Sequence, residues 1–218
     1  MRGCASVFVL VAGMLALRVA AGQLLDPEVL PGSLDLSERQ QARIAAGRSV
    51  FFAIDVLDHR YRAVAFRVAA PADSVWSAIN DFGHYARWID GVERAEVYGR
   101  INGKTYVEFA VNHWLIGTLQ YSARHDYAWP THRWGTFALD EERKSDFESA
   151  SGFWGTFAVT GDREATDVVY AARLTPSRGL AKWFRGRFVR SGLKSATQWL
   201  PRAVEERRDV EGEVRAPR

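Results

Sequence analysis

Apolar and polar positions change their period several times along the chain. Residues 50–57 and 62–69 alternate, which predicts two strands paired across a turn at 58–61. Pro71 stops the second strand and suits the first turn of a helix over 72–81, with Val75, Trp76 and Ile79 on one face. A second short helix holds Tyr85 and Trp88. From Val92 onward the period is two, predicting strands over 92–98, 105–112, 115–124, 133–139, 152–160 and 168–174. Asn102-Gly103 is a strong hairpin turn, because both residues tolerate positive φ. Trp129-Pro130-Thr131 marks another turn, the charge-dense stretch 140–146 is a solvated loop, and 161–165 is the last turn. The period then lengthens. Leu180, Phe184, Phe188, Gly192, Ala196, Trp199 and Ala203 recur every three or four residues, predicting a long helix over 179–207. Pro201 and two glycines predict a bend or break in it.

The first residues follow another logic. Arg2 precedes an apolar run over 7–17, followed by Arg18-Val19-Ala20-Ala21-Gly22-Gln23. As a helix that run is about 16 Å long at roughly 1.5 Å per residue, too short for a hydrocarbon core of about 30 Å. The pattern predicts a secretory signal peptide over 1–21, cut after Ala21 or Gly22, with an uncleaved anchor as the other reading. Cys4 precedes the apolar run, which argues against a lipoprotein. Residues 22–48 read as a linker without periodicity (22–35) and a short helix over 38–46, capped by Ser37 and ended by Gly47. Residues 49–206 are one domain and 207–218 a flexible tail.

The leader changes what composition implies. The 218 residues carry 29 Lys+Arg against 26 Asp+Glu, a formal +3. Without Arg2 and Arg18 the 29 bases become 27 against 26 acids, close to neutral. The single cysteine leaves as well, so thiol catalysis, iron–sulfur clusters and thiolate zinc sites are excluded from the mature chain.

Strand, two short helices, an antiparallel meander and a long final helix is the helix-grip order. The stretch Pro71-x-x-x-Val75-Trp76-x-x-Ile79-x-Asp81-Phe82-x-x-Tyr85-x-x-Trp88 resembles the opening of the polyketide-cyclase/coenzyme-Q-binding branch of the START-like (SRPBCC) superfamily. Phe153-Trp154-Gly155-Thr156-Phe157 is similar to that family too, as is Leu174-Thr175-Pro176 before a Trp/Phe- and Arg-rich helix. The resemblance covers about residues 49–206. It implies an α+β helix-grip fold, a curved antiparallel sheet wrapped around the C-terminal helix, with two short helices near the start. Function is left wide, since the superfamily includes lipid-transfer proteins, cyclases, hydrolases and interaction modules.

Such a sheet leaves a wedge-shaped space under the helix, and alternation sends one side chain in two into it. Val107, Phe109, Val111 and His113 are expected inward on one strand, then Leu115, Leu119 and Tyr121, then Phe137, Leu139, Phe157, Val159, Tyr170 and Leu174. A slip of one residue inverts a strand. The expected ligand-binding set is Trp76, Val107, Phe109, Val111, His113, Leu119, Tyr121, Phe137, Phe157 and Tyr170, with Phe184 and Phe188 from the helix. Those aromatics either line a cavity or fill a solid core.

Catalytic signals are sparse. The five histidines lie on different predicted elements, without metal-ligand spacing, so no metal or cofactor is expected. His113 reads as a hydrogen-bonded rim residue or as a ligand contact or general base. Glu108 and Asn112 fall on the opposite, solvated face. Asp81 reads as a partner for turn amides. No nucleophile elbow, phosphate loop or dinucleotide fingerprint is present, and no catalytic residue is assigned. Between Ser177 and Arg202 the chain holds Arg178, Lys182, Arg185, Arg187, Arg190, Lys194 and Arg202 and no acid. Lys182, Arg185, Arg187, Arg190 and Lys194 are the expected contacts to an anionic membrane surface, each worth about 1 kcal/mol, or else a solvated face. Export argues against nucleic acid. The expectation is an exported, periplasmic protein that binds or transfers a lipid or other hydrophobic molecule. A cyclase- or hydrolase-like enzyme and an interaction module with a filled pocket stand as alternatives.

Overall fold

A computed structural model describes residues 24–113, 117–127, 130, 133–177 and 187–215; of residues 113, 187–192, 194, 196 and 210–215 it describes only the backbone. The alternating stretches become β1 (Val50–Val56), β2 (His59–Val68), β3 (Val92–Ile101), β4 (Lys104–His113), β5 (Gly117–Tyr127), β6 (Trp134–Leu139), β7 (Phe147–Val159) and β8 (Asp162–Pro176). The helices are α1 (Glu38–Ala45), α2 (Ala72–Ile79), α3 (Tyr85–Trp88) and α4 (Arg187–Arg215). The strands form a single antiparallel sheet in the order β1-β2-β8-β7-β6-β5-β4-β3. Asn102 and Gly103 turn β3 into β4 with φ of 51° and 76°, the left-handed pair a two-residue hairpin requires.

One face of the sheet packs against α2, α3 and α4. Phe66, Val68, Val107, Phe109, Ala123, Trp154 and Val168 meet Trp76, Ile79, Phe82, Tyr85, Trp88, Trp199 and Leu200 there. The other face is also apolar along β1, β2, β7 and β8, and the N-terminal segment covers it. Residues 22–35 are therefore not a free linker over the part described. Leu25 is 3% exposed and Leu30 6%, and with Leu36 and Ile44 they pack on Val50, Tyr61, Ala63, Trp134, Phe153 and Val169. Ser37 caps α1 as expected: its Oγ accepts from Gln40 N, and Gln40 Oε1 accepts from Ser37 N at 2.9 Å. Arg133 ties the segment down by donating to Gly32 O at 3.0 Å.

That second apolar layer inverts one expectation. Trp154 and Thr156 of β7 face the helices, while Phe153 and Phe157 face the N-terminal segment, Phe157 edge-on to Trp134 at 5.3 Å. Phe157 is thus on the wrong side for the site. Both parities of β7 are apolar because both faces are covered, so alternation there carries no direction. Leu174, at the far end of β8, is 40% exposed.

α4 also departs from expectation. It runs through Pro201 without a break and continues to Arg215, so residues 207–215 are helix, not loose tail. Its second half is fastened by side chains. Arg202 donates to Trp88 O at 2.9 Å, and Arg208 to Ala69 O at 3.2 Å. Glu206 accepts from the Trp88 indole at 3.3 Å and pairs with Arg87 at 2.5 Å. Asp81 pairs with Arg207 and, at 2.8 Å, with His84 Nδ1. Asp81 is therefore structural, as expected, but through side chains and not turn amides.

Candidate functional site: the helix-facing side of the sheet

The floor of the site is rigid. Trp76 donates from Nε1 to Thr156 Oγ1 at 3.0 Å, linking α2 to β7. Trp199 of α4 lies parallel to Trp88 at 6.0 Å and tilted on Tyr85 at 5.0 Å. The Tyr85 hydroxyl is used up locally, donating to Ile79 O at 2.5 Å. Gly135 leaves room for this packing, since a Cβ there would collide with the Tyr127 ring and come within 2.9 Å of Trp76.

Away from this floor the helix-facing side chains are not fully covered. Val111, Tyr121, Tyr127, Phe137 and Tyr170 pack against the buried cluster yet keep accessible surface. Burial nevertheless pushes the Tyr121 and Tyr127 phenols up, and Tyr170 up to about 12. These half-buried side chains and the aromatic cluster they pack on make up the candidate site.

The expected site residues divide accordingly. Trp76, Val107, Phe109 and Leu119 are buried on the helix-facing side, and Val111, Tyr121, Phe137 and Tyr170 are half-buried there. His113 ends β4 opposite Gly117, and its side chain is not described. Phe188, Arg187, Arg190 and Lys194 belong to α4, again without described side chains. Phe184, Lys182 and Arg185 lie outside the described residues, as do Leu115, Trp129, Thr131 and the leader.

His125 is the histidine that sequence reasoning passed over. It is 6% exposed, among Phe82 at 4.7 Å and Phe109 and Phe137 at 5.9 Å. The alternation Leu119, Tyr121, Ala123, His125, Tyr127 places it on the same face, a signal present in the sequence beyond Tyr121. Burial alone pulls its imidazole down to about 3, so it is neutral at ordinary pH. Its Nδ1 lies 2.9 Å from the Tyr127 hydroxyl, which also accepts a hydrogen bond from Trp154. Which of the two groups donates follows the tautomer of the ring. Nε2 is buried without a partner.

The outer face over β4 and β5 is solvated, as expected for Glu108 and Asn112. Glu108 is shared by Arg94 at 2.5 Å and Arg143 at 2.9 Å, beside a polar depression of about 220 Å³. This is a surface ion-pair network.

The family described as polyketide cyclase/dehydrase and lipid transport matches residues 63–204, more than half the chain. The chain belongs to this family. Among solved structures it is similar to a STAR-related lipid transfer protein of Xanthomonas axonopodis, with 15% identity and a TM-score of 0.60 over 72% of this chain and 93% of that one. It is also similar to the Zhui aromatase/cyclase of Streptomyces sp. R1128, with 22% identity and a TM-score of 0.53 over 68% and 94%. A Thalictrum norcoclaurine synthase gives 14% identity and a TM-score of 0.51 over 73% and 98%. At these identities the likeness establishes the helix-grip START fold alone. No curated protein matches the chain. Membership in the polyketide cyclase and lipid transport family fits a fold that binds hydrophobic ligands. Its description covers carriers and enzymes alike, so the helix-facing residues have to decide between them.

Proposed function

We propose that the protein is an exported carrier that holds a lipid or other hydrophobic small molecule between the sheet and α4. The observation that carries this reading is the set of half-buried, helix-facing side chains Val111, Tyr121, Phe137 and Tyr170 over an aromatic cluster, in a chain of the polyketide cyclase/dehydrase and lipid transport family. Apolar burial at roughly 25 cal/mol per Å² drives such binding. The leader-like residues 1–21 support export to a periplasm, and the bases between Ser177 and Arg202 support collection or release of cargo at an anionic membrane.

An enzyme is the second reading, because His125, Tyr121 and Tyr170 bring polar groups to one region. Acid–base chemistry works best with a group poised near the operating pH. His125 is held down at about 3 and Tyr170 up at about 12. That favours holding over converting.

Native mass spectrometry of the purified protein, with organic extraction of what it releases, tests the carrier. A reproducible co-purifying apolar molecule is expected. A protein that is always empty and binds no lipid overturns the reading. N-terminal sequencing of the periplasmic fraction tests export, with a mature start at residue 22 or 23 expected.

A further inference from the structure

The eight-stranded sheet is open, with β1 at one edge and β3 at the other. An edge strand turns part of its backbone N–H and C=O groups away from its neighbour and offers them to another strand. β3 is protected against such pairing. It carries Glu93, Arg94, Glu96 and Arg100, and its register shifts between Val92 and Arg94 and again between Val97 and Gly99. β1 has none of these devices. Val50-Phe51-Phe52-Ala53-Ile54 holds no charge and no proline, and its register on β2 is unbroken from Val50 opposite Ala65 to Val56 opposite His59. Among the described residues β2 is the one strand that pairs with it. β1 also precedes residues 63–204, the part that matches the family, so this edge is an addition to that part.

Both faces beside the edge are apolar. Phe52 and Ile54 turn towards the N-terminal segment and stay half-buried there. Phe51 alternates to the other face and is 37% exposed, and Leu57, just past the strand, is 53% exposed.

The strand is complementary to itself. A two-fold axis perpendicular to the sheet pairs β1 antiparallel with β1 of a second copy, and opposed residues then share a face. With Phe52 opposite the same residue of the copy, Val50 meets Ile54 and Phe51 meets Ala53. Asp55 meets Ser49, whose hydroxyl can donate to the carboxylate; within one copy Arg60 reaches Asp55 only at 3.7 Å across exposed surface. Centring the axis on Phe51 instead sets Ile54 against Arg48, and centring it on Ala53 sets Asp55 against Phe51.

We propose that β1 is a homodimerisation edge, to which a second copy of this chain adds its own β1 about a two-fold axis at Phe52, so that the sheet continues from one copy into the other. The edge is separate from the helix-facing side chains and does not depend on what they bind.

Sedimentation equilibrium of the purified protein across micromolar concentrations is expected to show a dimer exchanging with monomer. In a Cys4→Ser background, Phe52→Cys should give a disulfide-linked dimer on mild oxidation, because opposed Cα atoms of an antiparallel pair lie about 4.5–5.5 Å apart, within disulfide reach. Ile54→Cys, which lies opposite Val50 and not opposite itself, should not. Ser49→Asp places a carboxylate against Asp55 and should weaken the dimer roughly tenfold, since symmetry repeats the pair. Ser49→Arg should tighten it, and both variants should keep the far-ultraviolet circular dichroism of the parent. A monomer at every concentration overturns the inference. So does a dimer that the Ser49 substitutions leave unchanged, or one that Phe52→Cys and Ile54→Cys cross-link equally. Hydrogen exchange checks the edge itself: β1 amides already protected in the dilute monomer would mean that another segment or a captured peptide fills it, which overturns the inference as well.

Discussion

Asp81, two residues past α2, and Arg207, 126 residues later on α4, form an ion pair that clasps the final helix to the opening helices. Asp81 also holds His84, which stacks on Trp88 at 5.2 Å. The clasp lies at the end of α4 beyond Pro201, where the helix has lost one backbone donor. Both side chains are partly solvated, so screening limits the pair.

Arg207→Ala is expected to lower stability by about 1 kcal/mol, and Asp81→Ala by somewhat more because His84 loses its partner too. A double-mutant cycle followed by urea denaturation should return a coupling of about 0.5–1 kcal/mol. Additive effects would mean that the clasp holds nothing.

Acid should act on His125. Its folded pKa of about 3 lies below the ordinary value of 6.5, so the unfolded chain takes up a proton that the native chain refuses. Nothing is lost above about pH 6.5. Below it this residue costs stability at about 1.4 kcal/mol per pH unit until its folded pKa is reached. His125→Phe, measured by denaturation between pH 7 and 4, should flatten the acid limb by that slope. An unchanged limb would show that the imidazole is solvated.

The N-terminal segment should matter for stability. Leu25→Ala is expected to cost about 2–3 kcal/mol, since the side chain is buried against the outer face of the sheet. A free linker predicts no change in the denaturation midpoint.

Gly135→Ala should be costly for reasons of space. The added methyl would strike the Tyr127 ring and press on Trp76, which bonds Thr156. A loss of about 2 kcal/mol is expected from such overpacking. A shift in the near-ultraviolet circular dichroism, where the tryptophans report, should accompany it.

Legibility varied with how many faces of a strand are covered. Glu108 and Asn112 are solvated on the outer side of β4, so the inward set Val107, Phe109 and Val111 could be read from alternation. β7 offered no such contrast, and Phe157 was misplaced. His125 was within reach of the same alternation as Tyr121 but lay beyond where the pattern was followed. Leu25 and Leu30 had no local signal at all. Their burial depends on Tyr61, Phe153 and Val169, which are distant in sequence.

By itself the sequence determined the order of elements, the helix-grip class and the inward face of strands whose other side meets water. Those properties are written in local period and turn residues. Only the tertiary structure decided that the outer face is covered by residues 24–46 and that His125 is buried with a bare Nε2. Whether a polar atom finds a partner depends on what non-local pairing brings beside it, and no local pattern carries that information.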